Sequence, residues 1–175
     1  MKPWLWLRVA AVLEALVTVG HNLATLSTKP RHGAKEQAVF DAMRGFQFNI
    51  MGAMRSTWDF YRGYQFLTTV TLVLMVALLW LLSNMSRRAP REATPLVLAI
   101  LIAQLFNEII SWQFFFAGPG VMGGLTALCL VVALAGLYHA DQPVLAANNQ
   151  SAPDVNLVEK EPSTARPQAI NTQER

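Results

Sequence analysis

The sequence predicts an all-α membrane protein, an antiparallel bundle of four transmembrane helices with an amphipathic helix between helices 1 and 2. Of its 175 residues, 53% are hydrophobic and 14% are charged, whereas soluble domains carry about 25% charged residues. No charged residue or histidine occurs between Arg62 and Arg87, or between Glu108 and His139. Both runs exceed the about 20 apolar residues that one bilayer crossing needs.

Boundaries of the four spans follow from apolar runs and turn residues. The first span is predicted to be a retained helix, because Arg8 and Glu14 interrupt its apolar core and no cleavage site of a signal peptide follows. Pro95 suits the first turn of the third span, and the turn at 117–120 makes the third and fourth spans antiparallel neighbours. The transmembrane domain is residues 1–139, with spans at 4–26, 58–82, 95–116 and 120–138.

Two further segments complete the predicted organisation. Between the first two spans, apolar residues recur at steps of three and four from Val39 to Met54. This pattern predicts an amphipathic helix at about 35–54, broken at a glycine, that lies at the interface or caps the bundle. Residues 140–175 contain four prolines and no aromatic residue, a composition that predicts a disordered tail.

The placement of charge indicates the partners and the topology. Positive charges flank the apolar runs, so the expected partner is the lipid bilayer and nucleic acid is excluded. Four spans put both termini on one side, and the basic turn at 83–92 favours the cytoplasmic side of a bacterial inner (plasma) membrane for them. Gly120-x-x-x-Gly124 permits close helix approach, either within the bundle or in a homo-oligomer. The lone Cys129 cannot form an intramolecular disulfide.

The segment 55–65 combines charge with aromatic rings where the second span begins. Arg55, Asp59 and Arg62 have helical spacing, which predicts ion pairing on one side of a helix. Ser56 and Asp59 have the spacing of a capping box, and Tyr61 belongs to a cluster of interfacial aromatic residues.

Polar stripes inside the first and third spans are the main functional signal. Glu14 and His21 share one face of the first span, and Asn107 and Glu108 lie in a stripe of the third. At about 1.5 Å of rise per residue, His21, Glu108 and Asp59 fall in the same half of the bilayer, with Glu14 nearer its centre. Candidate ligand-binding or polar-cluster residues are therefore Glu14, His21, Arg55, Asp59, Tyr61, Arg62, Asn107, Glu108 and Trp112.

Several functions remain open for these residues. The leading hypothesis is a polar half-cavity that binds a small or lipidic ligand, with no residue assigned a catalytic role. The alternatives are a membrane enzyme that uses Glu108 and His21 for proton transfer on a hydrophobic substrate, and a small proton-coupled carrier. The cluster could also serve only to hold the helices together. No cofactor is expected, and no metal, because no His-x-x-x-His or Glu-x-x-His spacing occurs.

Gly20-His21, the run Trp58-Asp-Phe-Tyr-x-Gly63 and Asn107 in the third span resemble a family of small, uncharacterised bacterial four-helix integral membrane proteins. The resemblance covers about residues 4–138 and implies a bacterial inner-membrane setting. It singles out His21, Asp59, Tyr61, Gly63 and Asn107 and implies no mechanism. In outline the architecture is also similar to DoxX-type proteins and to emopamil-binding bundles, a similarity of topology that does not imply function.

Overall fold

The computed structural model describes residues 2–27 and 29–150, with side chains described as far as His139. Four of its helices are long and apolar enough to cross a membrane, the last of them through residues Ala117–His139. This confirms the predicted number of apolar helices. In chain order the described elements are α1 (Pro3–Thr25), α2 (Ala34–Gly45), β1 (Gln47–Ile50), β2 (Ala53–Ser56), α3 (Thr57–Arg88), α4 (Pro90–Phe114) and α5 (Ala117–Gln150).

The junction between α3 and α4 is a single residue, Ala89, so the predicted turn at 83–92 is wrong. Ser83 is fully buried, and its hydroxyl donates to the Trp4 carbonyl of α1 at 3.0 Å, so packing extends α3 past the predicted boundary. Pro90 disfavours helical geometry at the residue before it and is well suited to begin α4. Pro95, expected in a first turn, consequently lies inside α4.

The connector, residues 26–56 between α1 and α3, is not the amphipathic helix that the sequence predicts. Helix α2 ends at Gly45, and β1 pairs with β2 in an antiparallel hairpin instead of continuing the helix. At the tip, Met51 and Gly52 both have positive φ, 50° and 88°, as a tight two-residue hairpin turn requires. The side-chain oxygen of Asn49 accepts the Gly52 N–H at 2.8 Å. Local turn chemistry therefore overrides the helical spacing of the apolar residues.

Helix α2 is anchored at both ends. At its start, the Glu36 carboxylate accepts the backbone N–H groups of His32 and Arg31, and the bond from His32 contributes most to holding the pKa of Glu36 below its usual value. Near its end, the Arg44 guanidinium lies 4.3 Å from the centre of the Trp58 ring in α3. These contacts hold the connector against the beginning of α3.

Buried apolar side chains from all four long helices form one core. Leu7 of α1, Leu79 of α3, Val97 of α4 and Leu130 of α5 are fully buried in it. The core lies toward the start of α1 and the α3–α4 junction, whereas the far halves of α1 and α3 expose apolar residues such as Leu67. Such outward apolar surface is what a lipid environment accommodates.

Helices α1 and α3 are antiparallel to each other, and so are α4 and α5. Ser83 near the end of α3 meets Trp4 near the start of α1, and Arg62 near the start of α3 meets Thr25 at the end of α1. Gly123 near the start of α5 lies against Glu108 near the end of α4.

The last helix is longer than predicted. Helix α5 continues to Gln150, so residues 140–150 are helical where the sequence predicts the tail to begin. The remainder of the predicted tail, residues 151–175, lies outside the described residues.

Candidate functional site

A capping box begins α3, as the sequence predicts. The Ser56 hydroxyl accepts the Asp59 N–H at 3.2 Å, and the Asp59 carboxylate accepts the Ser56 N–H at 2.8 Å and its hydroxyl at 2.9 Å. Ser56 is buried although Asp59 is exposed. The box satisfies backbone donors that a helix start otherwise leaves unpaired.

The predicted ion pairing of Asp59 with both arginines is wrong. Across residues 2–27 and 29–139, neither Arg55 nor Arg62 takes part in a salt bridge. Arg55 donates to the Met54 carbonyl at 2.9 Å and acts on Asp59 only as a nearby charge. Asp59 is instead engaged by the cap.

Arg62 joins α3 to the end of α1. Its Nη1 donates to the Thr25 carbonyl at 2.6 Å and to the side-chain oxygen of Gln65 at 2.7 Å. The last carbonyls of a helix lack partners and carry partial negative charge, so a guanidinium satisfies them well. Arg31 of the connector does the same for the Leu23 carbonyl at 2.9 Å. Helix-end chemistry, and not a carboxylate, thus determines where these arginines point.

His21 belongs to a polar seam between α1 and α3. Its Nε2 lies 3.2 Å from the Gln65 carbonyl, and one turn further along α3 the Thr69 hydroxyl donates to the side-chain oxygen of Asn22 at 3.2 Å. Gln65, Thr69 and Asn22 were not among the predicted site residues. Their sequence signal is the four-residue spacing of Gln65 and Thr69 within a run that has no charged residue.

The two glutamates of the spans lie together. Glu14 is 3% exposed, and Thr126 of α5 and Glu108 of α4 are near enough to act on it electrostatically. Gln104 donates to Glu108 Oε1 at 3.3 Å, and Glu108 Oε2 is buried and has no hydrogen-bond partner among the described residues. The described contacts therefore associate Glu108 with Glu14 of α1 and with α5, and none of them joins Glu108 to His21.

Three other predicted residues lie apart from the glutamates. Tyr61 packs against the Trp58 ring, with the ring centres 5.4 Å apart. Trp112 is 60% exposed and lies over Gly120 at the α4–α5 turn. Asn107 is exposed on the outer side of α4. All three side chains are exposed at the outer surface of the helices.

An open groove of about 340 Å³ runs along the first turns of α3. Arg55 and Asp59 from the predicted site stand at one end of it, and neither His21 nor Glu108 contributes. The groove combines an opposite-charge pair with apolar walls, an arrangement that suits an amphipathic molecule. Its lining is Arg55, Asp59, Phe60, Gly63, Tyr64 and Leu67.

A second cavity, of about 200 Å³, lies at the other end of α3. It is lined by Asn84, Arg87 and Arg88, of which the sequence identified the arginines only as topology signals. Within the described part of the chain, no group of three or more His, Cys, Asp and Glu side chains could hold a metal ion.

Comparison with known protein families, curated proteins and solved structures finds no match to this chain. The resemblance to small bacterial four-helix membrane proteins therefore stays a prediction.

The cap at the start of α3 leads to a first expected result. Ser56→Ala should lower the free energy of unfolding by about 1 kcal/mol, because it leaves the Asp59 N–H unpaired. Reversible unfolding of the detergent-solubilised protein, followed by circular dichroism, measures the change. The control is Thr57→Ala at the neighbouring exposed position, and an equal loss in both variants would contradict a specific role for the cap.

Proposed function

We propose that this chain is an integral membrane protein that binds a small or lipidic amphiphile in the groove at the start of α3. The fold behind the proposal is an antiparallel bundle of four transmembrane helices, multi-pass in a bacterial inner membrane. The single observation that carries the function is the groove, in which Arg55 and Asp59 adjoin an exposed apolar wall.

The distribution of charge along the chain supports one orientation. Arg87, Arg88 and Arg91 cluster at the α3–α4 junction, on the same side as the start of α1. Clusters of this kind mark cytoplasmic ends of transmembrane helices. The N-terminus is then cytoplasmic, the end of the fourth span faces the same compartment, and the connector with the groove faces the opposite one.

The order of residues along the groove matches the polarity of a membrane. Helix α3 enters the bilayer from the connector side, so Arg55 and Asp59 lie at the water boundary and Leu67 lies deeper. Phe60, Tyr64 and Leu67 are 40%, 67% and 62% exposed, and their spacing places them on one stripe of the helix. An amphiphile can therefore lay its apolar chain on that stripe and present its polar end to the charged pair.

The Arg55–Asp59 end suits a head group with both signs of charge. Arg55 can donate to a phosphate or carboxylate. Asp59 uses Oδ2 for the cap, and within the described chain Oδ1 accepts no hydrogen bond. A zwitterionic or hydroxylated head group would complement both residues, whereas a purely anionic one would be repelled by Asp59.

The enzyme and carrier alternatives lack comparable support. Each needs a path by which substrate or cargo reaches Glu108 or His21, and neither described cavity is lined by those residues. His21 already lies at the Gln65 carbonyl, and Glu108 packs against α5. Ligand binding at the groove is therefore the function that the geometry favours.

Gly63 offers a direct test, since a side chain added there meets nothing within 4 Å. Gly63→Phe should fill the groove without disturbing the packing and weaken binding of a fluorescently labelled lysophosphatidylcholine at least tenfold. Titration of the purified protein in a non-ionic detergent, followed by fluorescence anisotropy, measures this.

The matched control is Gly20→Phe, at a helical glycine of α1 that also has open space around it. It should bind the probe as the unmodified protein does. Unchanged affinity in Gly63→Phe, or an equal loss in Gly20→Phe, would refute the groove as the binding site.

A further inference from the structure

The end of the bundle opposite the groove gathers arginines around tryptophan rings. The Arg8 guanidinium carbon lies 5.1 Å from the Trp4 ring centre and 5.1 Å from the Trp80 ring centre. That of Arg87 lies 5.2 Å from the same Trp4 ring. Tryptophan marks the membrane–water interface, so these guanidinium groups lie near the depth of lipid head groups.

Among the residues whose side chains are described, no carboxylate pairs with this cluster. In the described part of the chain, Arg8, Arg87 and Arg88 form no salt bridge, and Arg8 Nε is buried without a hydrogen-bond partner. Two cations on one ring repel each other, and a buried unpaired donor is costly. An anion beside the cluster would relieve the repulsion.

The cavity at this end is shaped by donors on one face of α3. Asn84, Arg87 and Arg88 line it, and their spacing of three and four residues directs them to the same side of the helix. Arginine presents a planar set of N–H donors that matches phosphate oxygens. The cavity of about 200 Å³ thus combines two guanidinium groups with an amide.

Apolar surface continues from this cavity toward the bilayer centre. Trp80 and Leu81 lie one turn deeper on α3 and are 48% and 63% exposed. A molecule whose phosphate occupies the cavity could therefore rest its acyl chains on these side chains. A free anion would make no use of that surface.

We infer that the Asn84–Arg87–Arg88 cavity binds the phosphate head group of an anionic phospholipid in the adjacent leaflet. This site is separate from the groove and does not depend on the function proposed for it. Charge complementarity and the adjoining apolar surface identify the occupant. The lipid anchors the end of the bundle toward which the buried core lies.

The test uses the full chain purified in a non-ionic detergent, with lipid binding measured by native mass spectrometry. Phosphatidylglycerol should bind at least tenfold more tightly than phosphatidylcholine. The double variant Arg87→Gln/Arg88→Gln should lose that preference, whereas Arg87→Lys/Arg88→Lys should keep part of it, because the charge remains. The control Lys29→Gln/Lys35→Gln removes the same charge from the connector and should retain the full preference.

Three results would overturn the inference. One is an equal loss of preference in the control Lys29→Gln/Lys35→Gln. Another is equal binding of the two lipids by the unmodified protein. The third is displacement of phosphatidylglycerol by inorganic phosphate at equal concentration, which would indicate a free-anion site. A melting temperature within about 2 °C of that of the unmodified protein qualifies each variant for comparison. Gly63→Phe should leave phosphatidylglycerol binding unchanged, which separates this site from the groove.

Discussion

Leu130→Ala is expected to lower the free energy of unfolding by about 2 kcal/mol, near the lower end of the range for buried leucines. Leu130 is fully buried in the core. In a bilayer or micelle the surroundings are as apolar as the core, so the loss comes from dispersion contacts and the cavity rather than from transfer out of water. Steric-trapping or mild-SDS unfolding of the reconstituted protein measures this difference.

Leu128 provides the matched control, because it lies on the same helix and is 58% exposed. Leu128→Ala should change the unfolding free energy by less than about 0.5 kcal/mol, as surface substitutions commonly do. Equal effects of the two substitutions would show that α5 does not pack in the described orientation. The comparison therefore tests how the helices are rotated as well as how stable they are.

Gly123→Ala is expected to destabilise the protein by about 1 kcal/mol, the low end of the range for overpacking, because the atoms that it meets end side chains able to move. A Cβ there would overlap the Glu108 carboxyl and lie 2.9 Å from Gln104 Nε2. The Glu108 carboxyl would have to leave its position between α4 and α5. At Gly124 an added Cβ meets nothing within 4 Å, so Gly124→Ala should be neutral or slightly stabilising.

A second substitution tells whether the clash with Glu108 is the cause. In the double variant Gly123→Ala/Glu108→Ala the overlapping carboxyl is absent, so the added methyl group should cost little beyond the loss of Glu108 itself. The coupling free energy between the two positions should then exceed about 0.5 kcal/mol. Simple additivity of the two losses would contradict the described contact between α4 and α5.

The sequence was sufficient to find what depends on long apolar runs or on neighbouring residues. The uncharged runs after Arg62 and Glu108 identify two of the apolar helices, and the spacing of Ser56 and Asp59 identifies the cap. It failed where two local preferences compete. The residues from Phe46 to Met54 have helical spacing, but the turn at Met51 and Gly52 selects a hairpin.

The depth of each candidate residue in the membrane can be estimated from the sequence, but the neighbour that it faces cannot. Rise per residue estimates how far His21 and Glu108 lie from the membrane surface, whereas the partner of each depends on how the helices are rotated by packing. Glu108 consequently lies with Glu14 and Gly123, and His21 lies with Gln65. The contact of Arg8 with the Trp80 ring likewise depends on helix packing, because the two residues belong to different helices.

The length of helix α3 determines how far apart the two proposed binding sites lie. Its 32 residues span about 48 Å, slightly more than the about 40–45 Å of a whole bilayer with its head groups. Both proposed binding sites lie on this one helix, the groove at its start and the arginine cavity at its end. Simultaneous occupancy by lipids of opposite leaflets therefore requires a bilayer whose thickness matches that distance, or a tilt of α3 that compensates for the hydrophobic mismatch.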